Sequence, residues 1–180
     1  FGEGRSVALD SFRVDTGARD AEDILASRDR ILDALRAVFS RSVANDPLNR
    51  LVMLTSLRWE DVDVLRAYVG HARQIDSVFT KTMMRRVVLD NPQVVQTLMG
   101  VFHARFSPEL DGAAPSDEAR EAAIQTVEKS LEAELQAVRS YQQDRMLRVL
   151  LDSIRAGSSD IHIEPFDSTL VVRIRVNGKL

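Results

Sequence analysis

The chain has 180 residues, of which 44% are hydrophobic and 28% charged, a balance too apolar for general disorder and long enough to bury a sizeable core. Its formal charge of -3 gives no broad attraction for phosphate backbones or anionic membrane surfaces, so nucleic-acid binding is not expected, and no apolar run approaches the ~20 residues needed to span a bilayer, so membrane insertion is not expected either. It has no cysteine, which excludes disulfides, thiolate nucleophiles and Cys-based metal sites and accords with a reducing, cytoplasmic setting.

The chain begins at Phe1 without a visible signal peptide, and reads as an excerpt of a longer protein. Val7, Leu9, Phe12 and Val14 make a short, imperfect alternation that predicts an N-terminal strand, closed by Thr16-Gly17. From Asp20 the period becomes helical. Ile24, Leu25, Ile31, Leu32, Leu35, Val38 and Phe39 share a stripe, and Asp20 is a capping residue, predicting one helix over 20–44.

Asp46-Pro47 and Asn91-Pro92 each place a capping side chain before a proline whose missing N–H costs nothing at a first helical position. The first opens a helix with Leu48, Leu51, Val52 and Leu54, the second one with Val94, Val95, Leu98, Met99 and Phe102. Between them, Trp59, Val62, Leu65, Val69 and Ala72 define a third amphipathic helix, and Met83, Met84, Val87 and Val88 a shorter one after Thr80.

Residues 107–115 are rich in turn formers, after which Ser116 caps a long helix through Ile124, Val127, Leu131, Leu135 and Val138. The apolar pattern loosens at Ser140 to Gln143 and resumes with Met146, Leu147, Leu150, Leu151 and Ile154, favouring a helical hairpin over a long coiled coil. Gly157 is placed to end it. Ile161 and Ile163, a turn over 165–168, and Leu170, Val172, Ile174 and Val176 then predict two strands, with Asn177-Gly178 a further hairpin turn.

The expected fold is mainly α: a bundle of short helices plus a long helix or helical hairpin, a small C-terminal β-hairpin and a short N-terminal strand. The expected units are 1–19 (strand and linker), 20–106 (short-helix bundle), 107–115 (linker), 116–156 (long helix or hairpin) and 157–180 (truncated β segment).

No Gly-x-Gly-x-x-Gly follows a strand, and no Gly-x-x-x-x-Gly-Lys-Ser/Thr loop or His-Glu-x-x-His occurs. His71, His103 and His162 lack zinc-site spacing. Neither catalytic nor metal-ligating residues are therefore assigned, and no cofactor is expected on this chain. The acidic residues read as solvated helix positions. Trp59 and Tyr68 read as core packing rather than a base-stacking platform, and Met83-Met84 as core filler. His162 and Glu164 alternate outward from a strand, which favours a solvent face over an acid/base pair.

Asn45-Asp46-Pro47-Leu48-Asn49-Arg50-Leu51-Val52, followed by Leu57-Arg58-Trp59-Glu60-Asp61-Val62 and Leu65-Arg66-Ala67-Tyr68, resembles the large, multidomain bacterial NAD-dependent glutamate dehydrogenases. Arg73-Gln74-Ile75, Phe102-His103-Ala104-Arg105-Phe106 and Asp144-Arg145-Met146-Leu147-Arg148 continue the likeness, which covers roughly 7–156. Arg58 stands where that family would place Thr or Ser. The resemblance implies a helical region between ACT-like regulatory domains and a distant catalytic domain, within a homo-oligomeric parent that deaminates L-glutamate to 2-oxoglutarate with NAD. The catalytic lysine and Rossmann glycines of such a parent lie downstream, so this segment would be regulatory or scaffolding, its partner the rest of its own polypeptide.

The C-terminal segment has a different resemblance. Ser159-Asp160-Ile161-His162-Ile163-Glu164-Pro165 and Arg173-Ile174-Arg175-Val176-Asn177-Gly178 are similar to the type II secretion and type IV pilus assembly ATPases. That resemblance implies that Arg173 and Arg175 face a nucleotide in an assembled ring. The two patterns meet within 148–156, so the chain reads as chimeric. The alternatives are the N-terminal part of an assembly ATPase or a stand-alone helical interaction module.

Overall fold

The computed structural model describes residues 21–75, 78–110, 112–156, 158–166 and 169–176, with side chains at 22, 24–72, 78–110 and 112–156. The predicted N-terminal strand, the Asp20 cap, Gly157 and Asn177-Gly178 lie outside these residues. Eight helices appear among them: α1 (Ala21–Ala26), α2 (Arg28–Phe39), α3 (Leu51–Leu54), α4 (Trp59–Ile75), α5 (Lys81–Asp90), α6 (Pro92–Phe106), α7 (Asp117–Gln136) and α8 (Tyr141–Arg155). A 3-10 turn, Pro47–Arg50, runs directly into α3. The mainly α expectation holds.

The helix expected over 20–44 is instead two. Ser27 breaks it, and the Ser27 hydroxyl accepts from Arg30 Nη2 at 2.9 Å. The same guanidinium donates to the carbonyl oxygens of Val52 (3.2 Å) and Thr55 (2.9 Å), supplying acceptors at the end of α3 with donors they lack within the helix. Helix α2 then stops at Phe39 rather than Ala44. Ser42 N–H reaches back to Ala37 O at 2.9 Å and Arg41 N–H to Val38 O at 3.1 Å, a Schellman closure with Arg41 at φ 61°. A glycine would sit there without strain.

The apolar stripe read for this segment also turns out differently. Of the α2 residues only Ala37 is buried, while Ile31 and Ala34 pack partly on the core. Leu25, at 68% exposure, with Leu32 and Leu35, faces outward. The small alanines, not the leucines, bring α2 to the bundle.

Both proline starts are present, but their caps differ. Asp46 Oδ1 accepts from Leu48 N–H at 3.0 Å, as read from the sequence. Asn91 makes no cap for α6. Its amide donates backward to Val87 O at 2.8 Å and so closes the end of α5. Thr80 and Ser116 accept from Met83 N–H and Ala119 N–H, capping α5 and α7. At α4 the Arg58 position needs no hydroxyl, because Asp61 Oδ2 accepts its main-chain N–H at 2.9 Å. Ser140 caps α8 through Gln143 N–H, so α7 and α8 form the helical hairpin expected.

One apolar cluster joins these pieces. Leu48, Leu51, Leu65, Met84, Leu98, Met99, Leu131 and Leu150 are all fully enclosed in it. Tyr68 is 1% exposed and meets Phe102 edge-on at 6.0 Å, with Trp59 packed at the margin, so both aromatics are core as expected. Helices α6 and α7 pack closely at Gly100, where a Cβ would stand 3.2 Å from Val127 Cγ1.

Strands β1 (Ser158–Phe166) and β2 (Thr169–Val176) pair antiparallel, with Ile161 opposite Ile174. Pro165 continues β1 opposite Leu170 rather than starting the turn.

Candidate functional site

The charged residues divide into those on solvated faces and those drawn between elements. The acidic residues read as uniformly solvated are not so. The Asp46 side chain is 9% exposed and lies between the 3-10 turn, α4 and α5. Arg66 of α4 donates through Nε to Oδ2 at 3.1 Å and through Nη2 to Oδ1 at 3.2 Å. Arg85 of α5 donates through Nη2 to Oδ2 at 2.7 Å. Arg66 also bonds Asn49 Oδ1 at 2.9 Å and pairs with Asp63. One carboxylate thus accepts a main-chain N–H and three guanidinium bonds. Burial works to raise its pKa, but the hydrogen bond and charge of Arg66, the Leu48 N–H and the charge of Arg85 together hold it below the ordinary carboxylate value.

A second polar contact joins the first turn of α4 to the last turn of α6. Asp61 Oδ1 meets His103 Nε2 at 2.7 Å, and His103 Nδ1 lies 3.3 Å from Ser107 Oγ. The Asp61 hydrogen bond raises the imidazole pKa against the opposing effect of partial burial. For Asp61, burial raises the pKa, but the His103 and Arg58 contacts outweigh it. Carboxylate, imidazole and hydroxyl in line have the order of a nucleophile relay, but such chemistry requires donors converging on an oxyanion. Arg120, at the same end of α6, is spent on the carbonyl oxygens of Ala104 (2.9 Å), Arg105 (3.1 Å) and Ser107 (2.8 Å). The arrangement braces two helix ends.

The helical hairpin carries its own cross-links. Arg148 of α8 takes both Glu132 oxygens of α7 at 3.0 Å and both Asp144 oxygens of its own helix. Arg155 takes both Glu128 oxygens at 3.0 and 3.1 Å. His71, by contrast, has a buried Nδ1 without a hydrogen-bond partner, and burial lowers its pKa.

Among the described residues no group of His, Cys, Asp and Glu is arranged to hold a metal ion. Arg173 and Arg175 fall on β2, opposite His162 and Asp160 of β1; their side chains lie outside the described set. The Asp46–Arg66–Arg85 cluster had no signature in the sequence, beyond the Asp46 cap itself. Its members are 20 and 39 residues apart, and no local period links them.

The region containing both polar clusters is also the region that comparison with known proteins singles out. Residues 43–108 match the family model described as glutamate dehydrogenase, helical motif 3. The chain is similar to the NAD-specific glutamate dehydrogenase of Mycobacterium tuberculosis, 30% identical over 131 residues, or 73% of the chain. It is likewise similar to those of Pseudomonas aeruginosa (30% over 134 residues, 74% of the chain) and Halomonas elongata (26% over 129 residues, 72% of the chain). The chain spans about 8% of the length of these relatives. No solved structure matches it. These matches give the resemblance of the C-terminal segment to assembly ATPases no support.

Proposed function

We propose that this chain is a non-catalytic helical segment of an NAD-specific glutamate dehydrogenase, a cytoplasmic enzyme that oxidises L-glutamate to 2-oxoglutarate. Its task is to hold the elements on either side of it in fixed relation and to support homo-oligomer assembly. One observation carries this reading: the matched stretch, 43–108, contains Asp46, Asp61, Arg66, Arg85 and His103, and each is engaged in bonds between helices. Charged groups used in this way set the angle between helices rather than process a substrate. NAD belongs to the catalytic part of the parent, and the partner of this segment is the remainder of that polypeptide.

Replacing the matching stretch of the Mycobacterium tuberculosis enzyme with residues 43–156 of this chain tests the reading. The graft is expected to retain glutamate-dependent NAD reduction and the assembly state of the enzyme, while the isolated chain reduces no NAD. Turnover by the isolated chain would overturn the proposal.

A further inference from the structure

Helix α5 has two working faces. Met84, Val87 and Val88 enter the core, whereas Thr82, Arg85, Arg86 and Leu89, spaced i, i+3, i+4 and i+7, share another face. That second face and the 3-10 turn bound a cavity of about 440 Å³, with Pro47 and Leu89 as apolar lining and Arg50, Arg85 and Arg86 as cationic lining. The volume lies within the roughly 300–1,000 Å³ common for small-molecule sites.

The hydrogen-bonding capacity around this cavity is unfilled. The Arg50 guanidinium has no hydrogen bond or ion pair among the described residues, and neither does the Thr82 hydroxyl. Arg85 is held at Nη2 by Asp46, but its Nε is buried without a partner. Arg86 has only a long contact, 3.6 Å, with Asp90, the one carboxylate in the lining. Asp46 and Asp90 thus each answer one of the three guanidinium groups, Arg50 has no carboxylate partner among the described residues, and the Asp46 bond fixes Arg85 in place before any ligand arrives. A fixed guanidinium loses little freedom on binding and presents donors in the fork that matches a carboxylate or phosphate.

We propose that this cavity binds a small molecule bearing two oxyanion groups, either carboxylates or phosphates, between Arg50 on the 3-10 turn and Arg85 with Arg86 on α5. The Thr82 hydroxyl supplies a further donor, and Pro47 and Leu89 cover the carbon skeleton between the charged ends. The proposal is independent of the scaffold reading, because it concerns only residues within this chain.

Titration of the full chain with sodium phosphate or with succinate, at an ionic strength held constant with chloride, tests it through the arginine Nε–H resonances. Saturable shifts are expected at Arg50, Arg85 and Arg86, with half-saturation on the order of millimolar or below. The anion that saturates at the lower concentration assigns the headgroup. Arg50→Gln should raise half-saturation about tenfold, the scale of one lost charge-assisted contact, and Asp90→Asn should lower it. Arg36→Gln, at an exposed arginine of α2 outside the lining, should change nothing. Shifts that do not saturate with either anion overturn the proposal, as does saturable binding indifferent to both Arg50→Gln and Arg86→Gln. Arg50 is exposed, so circular dichroism of its variant will match the parent chain and keep the result interpretable.

Discussion

Asp61 and His103, 42 residues apart, share a 2.7 Å hydrogen bond that ties the start of α4 to the end of α6. Each stands where its charge is favoured: a carboxylate at a helix N-terminus and an imidazolium at a C-terminus. Both ends of the contact therefore strengthen it, and both make it sensitive to pH.

The imidazole pKa is raised above its ordinary 6.5 and the carboxyl lowered below its ordinary 3.8. The His103 contribution is complete below about pH 6.5 and is lost as pH rises through the higher folded value. The Asp61 contribution is complete above the unfolded carboxyl value and is lost as pH falls through the lower folded one. The brace is then strongest in mildly acidic solution. His71 acts oppositely, because burial favours its neutral form. Urea unfolding of the parent chain and of His103→Gln between pH 5.5 and pH 8 separates the two. The stability difference should shrink as pH rises, from roughly 0.5 kcal/mol, a small value because His103 is 47% exposed. A difference that stays constant across the range would contradict this account.

Asp46→Ala removes the acceptor for Leu48 N–H and leaves Arg66 and Arg85 facing each other across an empty position. A loss of about 3–5 kcal/mol is expected, the cost of breaking a largely buried pair. Asp46→Asn keeps an acceptor for the cap and should lose less. Since the folded carboxyl titrates below its unfolded value, the Asp46 contribution is present at neutral pH and disappears as pH falls through the folded pKa. The penalty for Asp46→Ala, measured by denaturant unfolding, should accordingly be smaller in acid than at pH 7.

Arg41 occupies the left-handed position of the α2 closure at φ 61°, and its side chain is exposed. Arg41→Gly relieves backbone strain of about 1 kcal/mol while giving part of it back through a freer unfolded chain. A net gain of about 0.5 kcal/mol is expected, visible as a rise in Tm of roughly 1–2 °C for a chain of this size. A fall in Tm would show that Arg41 makes a stabilising contribution elsewhere.

Gly100→Leu forces a branched side chain into the contact between α6 and α7, where even a Cβ approaches Val127 Cγ1 to 3.2 Å. Overpacking of this kind costs about 1–3 kcal/mol. Val127→Ala in the same chain should recover part of the loss, which thermal melts of the two single variants and the double variant will show.

The sequence was legible wherever structure is set by near neighbours. Asp46 and Ser116 could be read as caps because each bonds an N–H two or three residues ahead. The apolar periods of α4, α6 and α8 likewise face the core that they predict. Legibility failed where a side chain serves a distant or unexpected element. Asn91 has the form of a cap for α6 and instead closes α5. Ser27 interrupts a continuous apolar pattern because Arg30 collects it together with the carbonyls of Val52 and Thr55. Leu32 and Leu35 satisfy a helical stripe without meeting the core, because α2 approaches through Ala34 and Ala37. The Asp46 cluster is hidden for the same reason: Arg66 and Arg85 are ordinary surface residues until α4 and α5 fold beside the 3-10 turn.

Arg120 closes the end of α6 from the first turns of α7, filling three carbonyl oxygens that lie 13 to 16 residues earlier in the chain. The last turn of α6 cannot unwind without releasing α7, so amide protons on the two sides should exchange through one shared opening rather than two. The connection between them, 107–115, also lies inside a loop already fastened at both ends. A protease that cut this loop would leave two polypeptides and one unchanged fold, held together by the α6–α7 contact and separable only under denaturing conditions.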